Sequence, residues 1–351
     1  MNPELPPKVI TRHRDGRIHA YVAGAGAFGT LQPAATFQPR SGDEVVASVV
    51  RQDLEQVVYT TLNGVVCLTR AGALMWASDF VPHSDVRHGH RPGCALSLDG
   101  RTVWVYRPDA MAGRGGGDQW VVYDADRGVV VARRELETVG HGAFHHLHPV
   151  DGSVYLDIGE GQDGSVILRG TGGADSEPEF KTYPWQDRCL IDLAPSGRQF
   201  MTVDHGQADV AFHEHPTGDV LFALPVEAFG YDPQGSFVEW GGGYLTEDTA
   251  IVVTLGGESH DGEEWFRYHL VDVYTGTLGG ELTVEASTPY ELVPLGDGSW
   301  LTGAPGRDPI RWSSAPQPSA PPHPAVPIAP YDARTGSPRP PMERQQARTD
   351  R

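Results

Sequence analysis

Histidine is the residue type in this chain with the most available chemistry, and its distribution is uneven. Of fifteen histidines, His83, His88, His90, His141, His145, His146 and His148 fall in one stretch between residues 83 and 148. Imidazoles grouped this way can serve as general acids and bases near neutral pH or as ligands for borderline cations. Three polar, glycine-rich segments add further candidates: Glu160, Gln162 and Asp163, then Asp204, His205 and Gln207, then His260 and Asp261. Glu160, Asp163, Asp204 and His260 suit a hard cation, and His88, His90, His141 and His205 suit a nitrogen-rich site. Gly161-Gln162 and Gly206-Gln207 lie at the same offset, ten residues past Asp151 and Ser196, and set an amide beside a flexible glycine. Such an amide can orient a small polar ligand. No local spacing enforces a metal: His213-Glu214-His215 lacks the i, i+4 pair of a helical H-E-x-x-H site.

Other motifs are excluded by their surroundings. Gly24-Ala25-Gly26-Ala27-Phe28-Gly29 fits G-x-G-x-x-G, and Asp43 or Glu44 follows near the spacing of a ribose-binding acid. That fingerprint needs a helix after the third glycine to hold the pyrophosphate, and here Pro33 follows four residues later with no βαβ pattern. The stretch reads as a hairpin between the second and third strands of a sheet. There is no G-x-S-x-G elbow and no phosphate loop, so serine or cysteine catalysis has no support. Cys67, Cys94 and Cys189 sit in apolar runs without C-x-x-C spacing, which predicts buried, reduced thiols. The net charge of -19 excludes nucleic acid and anionic membrane as partners, since both require basic patches. No segment has the length and apolarity of a membrane span or signal peptide, which predicts a cytoplasmic protein.

The elements that must position these residues are short strands. With 43 Gly and 29 Pro, turns are frequent and long helices few. An acidic or small turn residue, often followed by Gly and then an apolar run, recurs at Asp15, Asp53, Asp99, Asp151, Ser196, Glu247 and Asp297, at intervals of 38 to 52 residues. An apolar segment precedes most of these turns: Val45 to Val50, Gly93 to Leu98, Phe144 to His148, Cys189 to Leu193 and Tyr290 to Pro294. Gly72, Gly128, Gly218 and Gly276 close a later turn in four units. Such a period with four strands per unit is that of a propeller blade. On these repeats, and on Tyr123-Asp124, Gly89-His90 and Gly140-His141, residues 8 to 313 resemble the WD40-like and quinoprotein-like β-propeller superfamily. The Trp-Asp pair itself is absent, so the His and Asp network of that superfamily is not expected in most blades.

The expected fold is therefore all-β: a single seven-bladed propeller of four-stranded antiparallel blades, with six or eight blades as alternatives. Residues 314 to 351, with ten prolines and few large apolar side chains, are expected to form a disordered tail. In such a blade, the hairpin joining the second and third strands opens on the same side as the connection to the next blade. That rule collects His83, His88, His90, His141 and the three polar segments on one face. His146 and His148 are expected to line the channel while His145 points away. Two long hairpins, the glycine-rich Pro108 to Asp118 and the acidic Gly256 to Trp265, are expected to be flexible or recognition loops. The functional expectation is a non-catalytic module that binds a protein or peptide, preferably basic, or a small polar ligand on this face. No cofactor is predicted. The alternative is a propeller hydrolase or lyase assisted by a divalent metal.

Overall fold

Strands buried on both sides explain the apolar runs. In Thr102–Arg107, Val103 and Val105 pack to one side and Trp104 and Tyr106 to the other, all of them buried. A sheet sandwiched between two neighbours must be apolar on both faces. In the computed structural model, which describes residues 7–24, 28–86, 89–173, 176–257, 264–304, 306–313, 331–332 and 337–338, this holds around a closed ring of seven blades.

Each blade is an antiparallel sheet numbered from the central channel outward. Blade one holds β1 (Lys8–Arg14), β2 (Arg17–Ala23) and β4 (Ala35–Phe37). Blade two holds β5 (Ala47–Val50), β6 (Gln56–Thr61), β7 (Gly64–Thr69) and β8 (Leu74–Asp79). Blade three is β9 (Gly93–Leu96), β10 (Thr102–Arg107), β11 (Gln119–Asp124) and β12 (Val130–Glu135). Blade four is β13 (Gly142–Leu147), β14 (Val154–Gly159), β15 (Ser165–Gly173) and β16 (Ser176–Thr182). Blade five is β17 (Arg188–Leu193), β18 (Gln199–Asp204), β19 (Asp209–Glu214) and β20 (Val220–Pro225). Blade six is β21 (Ser236–Tyr244), β22 (Thr249–Gly257), β23 (Glu264–Asp272) and β24 (Leu278–Leu282). Blade seven is β25 (Val293–Pro294), β26 (Ser299–Thr302), β27 (Ile310–Ser313) and, outermost, β3 (Gly29–Thr30).

The ring is thus closed by the N-terminal segment. β3 pairs with β27 through Thr30↔Ile310 and Gly29↔Arg311, and the Arg311 guanidinium donates to the Gly24 carbonyl. The glycine-rich segment expected to be a plain hairpin of blade one carries this closing strand between β2 and β4. No helix follows Gly29, so the dinucleotide fingerprint has no structural counterpart. Ala25, Gly26 and Ala27 lie outside the described residues.

Seven apolar clusters fill the seven junctions between blades. The expected closing glycines Gly72, Gly128, Gly218 and Gly276 all have positive φ. At Gly128 a Cβ would lie 2.5 Å from Trp76, so the turn also makes room for an indole from blade two.

All seven sequence turns join an inner strand to its second strand, and six of them lie on one rim, called the lower rim here. The first does not. Gly16 accepts from Gln38 in the connection into blade two, and Arg14 Nη1 donates to Asp308 in the β26–β27 hairpin at 3.0 Å. Asp15-Gly16 therefore sits on the upper rim, and β1 runs opposite to the other inner strands. Its Asp-Gly pair, with φ 52° and 69°, forms a tight hairpin that is locally indistinguishable from the others.

The tail expected to be disordered lies outside the described residues, apart from the paired strands Tyr331–Asp332 and Ser337–Pro338. Among the described residues no helix is long and apolar enough to cross a membrane. All three cysteines are unpaired, and burial pushes each thiol up to about 12.

Candidate functional site

The upper rim gathers the second-to-third-strand hairpins and the connections between blades, and it carries most of the candidates. Their roles differ sharply. His90 is buried, with Nε2 on the Val86 carbonyl at 2.8 Å, and burial lowers its pKa. Its Nδ1 is buried without a hydrogen-bond partner. His141 is exposed, its ring beside Gly161. Glu160 accepts the Val139 amide at 2.9 Å and so ties the connection leaving blade three. Gln162 and Asp163 are exposed in a short 3-10 turn, Gly161–Asp163. His88, His260 and Asp261 lie outside the described residues, as does the core of the acidic loop, 258–263.

The glycine-rich loop of blade three is not a loose flap. Arg114 within it is buried and donates to Asp109, Pro82, Leu62 and Asn63, stapling the loop across blade two. Asp118 at its far end is fully buried and accepts from Ala110 N–H at 3.1 Å, Tyr106 Oη–H at 2.8 Å, Thr138 Oγ1–H at 2.9 Å and Gly140 N–H at 2.8 Å. Four donors on one carboxylate compensate its desolvation. Gly113 and Gly115 supply positive φ within an ordered turn.

Blades five to seven hold the most organised part of the rim. The inner strand β21 carries a wide bulge: Val238 pairs with Thr254, but the next pair is Gly242 with Val252. Glu239, Trp240 and Gly241 therefore leave the ladder together. Glu239 is 4% exposed, and one carboxylate oxygen accepts from Gln207 Nε2 at 3.0 Å, Tyr290 Oη at 2.6 Å and Trp240 N at 2.8 Å. Gln207 reaches it because its own backbone turns through φ 63° after β18. The Trp240 indole N–H donates to the Asp204 carbonyl at 3.2 Å, and its ring lies 5.8 Å from that of His205. Trp240 and Tyr290 nevertheless remain 36% and 37% exposed.

Asp204, His205 and Gln207 are thus brought together, while Gln162 is not their counterpart. In blade four Gly161 takes the positive φ, but in blade five Gln207 takes it, so the shared Gly-Gln offset does not place equivalent amides. The residues missed from the sequence are Glu239, Trp240 and Tyr290. The available signal was Glu239-Trp240-Gly241-Gly242-Gly243 interrupting an inner strand, since glycine inside a strand marks a bulge. Gly242 and Gly243 have φ 100° and 135°, as the bulge requires.

The channel between the inner strands holds a cavity of about 490 Å³ that reaches the lower-rim turns. His146, Asp192, Tyr244 and Lys8 line it. Asp192 accepts the Tyr244 amide at 2.8 Å, and burial lowers the pKa of His146. His145 also borders the cavity; its ring accepts from the Trp120 indole at 3.2 Å, and burial holds it at about 3. His148, expected in the channel, is buried in the lower-rim turns, with Nε2 on the Gly197 carbonyl. His213 is likewise internal: Thr202 Oγ1 and the Gly218 carbonyl hold its two nitrogens, and burial keeps it at about 4.

Each metal set read from the sequence includes a residue outside the described ones, His260 in the first and His88 in the second. Among the described residues, the group able to bring three ligand atoms together is His148, Asp151 and His215, on the opposite rim.

No known family model matches this chain, and no curated protein matches it. Solved structures do. The dihydro-heme d1 dehydrogenase NirN, in complex with DHE, aligns at 15% identity and TM-score 0.50 over 85% of this chain and 58% of its own, so this chain spans little more than half of that protein. A functionally unknown protein from Desulfotomaculum acetoxidans aligns at 11% identity and TM-score 0.50, covering 87% of this chain and 91% of the other. BamB from Moraxella catarrhalis shares 15% identity, with TM-score 0.48 over 88% and 82% of the two chains. At these identities the likeness is one of fold alone: the chain is a seven-bladed β-propeller.

Proposed function

We propose that this propeller is a non-catalytic interaction module that receives a basic protein or peptide segment on its upper rim, beside Trp240 and Tyr290. The observation that carries the reading is the pair of exposed aromatics held over the buried Glu239. Their polar groups are tied down by Gln207, Asp204 and Glu239, so they offer rigid apolar area at low entropic cost. Around them the blade connections expose Asp187, Glu227, Asp232 and Glu285. Two arginines of this rim, Arg107 and Arg114, direct their charge inward onto Asp109. The resulting negative field favours a cationic partner. Three unpaired thiols fit the reducing cytoplasm as its location.

The test is an array of short peptides graded in Lys and Arg content, probed with the full chain and with Trp240→Ala. Binding should rise with basic content, weaken with salt, and fall at least about tenfold in the variant. Binding indifferent to peptide charge and to Trp240 would sink the reading.

A further inference from the structure

The lower rim carries a group of side chains that the proposed function does not use. His148 closes β13, Asp151 lies in the turn before β14, and His215 lies in the turn after β19 of the next blade. His148 Nδ1 stands 2.8 Å from one Asp151 oxygen, and His215 Nε2 stands 3.5 Å from the other. The two imidazole centroids are 4.1 Å apart.

Proton placement leaves this arrangement short of positive charge. His148 Nε2 faces the Gly197 carbonyl at 2.8 Å, an acceptor only, so that nitrogen carries a proton. In the neutral ring Nδ1 is then a lone pair; it accepts the Asp151 amide at 2.9 Å while also facing the carboxylate. His215 Nε2 is buried without a hydrogen-bond partner, and its side chain is 10% exposed. A single proton satisfies one of these edges. A divalent cation between them satisfies His215 Nε2 and relieves the approach of the His148 Nδ1 lone pair to the carboxylate, in exchange for the bonds that Nδ1 accepts from the Val150 and Asp151 amides.

Blade seven shows what the turn needs without such a group. There Asp297 accepts from Ser299 and Arg311, and Arg311 also donates to Ser299. In blade four Asp151 accepts from Ser153 and Arg169, and Arg169 donates to Ser153. The Asp-Gly-Ser turn with its arginine is therefore a shared structural unit, and His148 and His215 are additions to it in blades four and five.

We infer that His148 Nδ1, Asp151 and His215 Nε2 form a binding site for a borderline divalent cation, zinc being the best fit to two imidazoles and one carboxylate. Three protein ligands leave room for water, and Asp151, at 35% side-chain exposure, opens the site to solvent. Arg169 Nη2, 2.8 Å from Asp151, orients the carboxylate from outside; together with Lys181 on the flanking strand it adds positive charge that moderates affinity.

Zinc chloride is titrated calorimetrically into untagged full-length protein, wild type and His215→Ala, with exposed His13→Ala as a control outside every candidate site. The site predicts one zinc per chain, unchanged in His13→Ala and weakened at least about tenfold in His215→Ala. No zinc binding by wild type, or undiminished binding by His215→Ala, overturns it. Should His215→Ala fail to fold, zinc-edge X-ray absorption of the wild type decides: two imidazoles per zinc support the site, and one or none overturns it.

Discussion

Gln207 of blade five donates its side-chain amide to the buried carboxylate of Glu239 in blade six at 3.0 Å, across the junction between the blades. This bond couples a hairpin turn to a strand bulge, and through Tyr290 it extends to the connection entering blade seven.

Glu239→Ala removes the acceptor shared by Gln207, Tyr290 and the Trp240 amide. Leaving buried donors unpaired costs about 1–3 kcal/mol, so urea unfolding should show a loss in that range or slightly above it. Trp240→Ala, at an exposed position, should change stability by less than about 1 kcal/mol while impairing peptide binding. The two variants thereby separate the scaffold of the rim from its contact surface.

Asp118→Ala strands four donors in the glycine-rich loop of blade three. A loss of about 3–5 kcal/mol is expected, since a stranded buried donor costs about 1–3 kcal/mol and water entering the space left by the side chain satisfies part of the set. Limited proteolysis should then cut within 108–118, where the wild type resists.

Gly128→Ala tests the packing of blade two on blade three. The residue has φ 67°, and its new Cβ would meet Trp76 at 2.5 Å. Strain of about 1–2 kcal/mol from the left-handed backbone adds to about 1–3 kcal/mol from overpacking. The readout is a lowered denaturation midpoint with quenching of tryptophan fluorescence altered at Trp76.

Asp157 gives a pH dependence of definite sign. It is buried between blades four and five, and burial raises its carboxyl from 3.8 to about 7, although Ser165 Oγ donates to it at 2.8 Å. The native state therefore keeps a proton that the unfolded chain has released. Its contribution to stability is fully present below about pH 4, declines as pH rises through the interval to about 7, and is lost above it. Buried His213 and His269, each held at about 4 by burial, act oppositely over an overlapping range, because unfolding lets them protonate below their usual pKa. The comparison must therefore be between variants: Asp157→Asn should be more stable than wild type at pH 8 by a few kcal/mol, and that advantage should shrink by pH 5. Urea unfolding at both pH values reads the difference; an equal difference at both would refute the assignment.

The blade count was legible in the sequence because each inner-to-second-strand turn needs small or acidic residues at fixed positions, and because strands buried on both faces leave apolar runs such as Thr102-Val103-Trp104-Val105-Tyr106. Asp99-Gly100 and Asp15-Gly16 follow the same local rule, however, and only pairing across the ring put them on opposite rims. Closure was hidden for the same reason. Two residues, Gly29 and Thr30, complete a blade whose other strands come some 260 positions later, and no local pattern records that partnership.

Sequence by itself therefore determined the repeat, the turn chemistry and the pool of polar residues, since these depend on backbone conformation and strand periodicity over a few positions. Tertiary structure alone decided which of those residues meet. His90 was buried onto the Val86 carbonyl, Gln207 turned onto Glu239, and among the described residues the histidines that converge on a carboxylate are His148 and His215 on the lower rim. The physical reason is that convergence depends on side-chain direction at the end of each strand, and a bulge or a change of which residue takes positive φ redirects those side chains without altering the repeat.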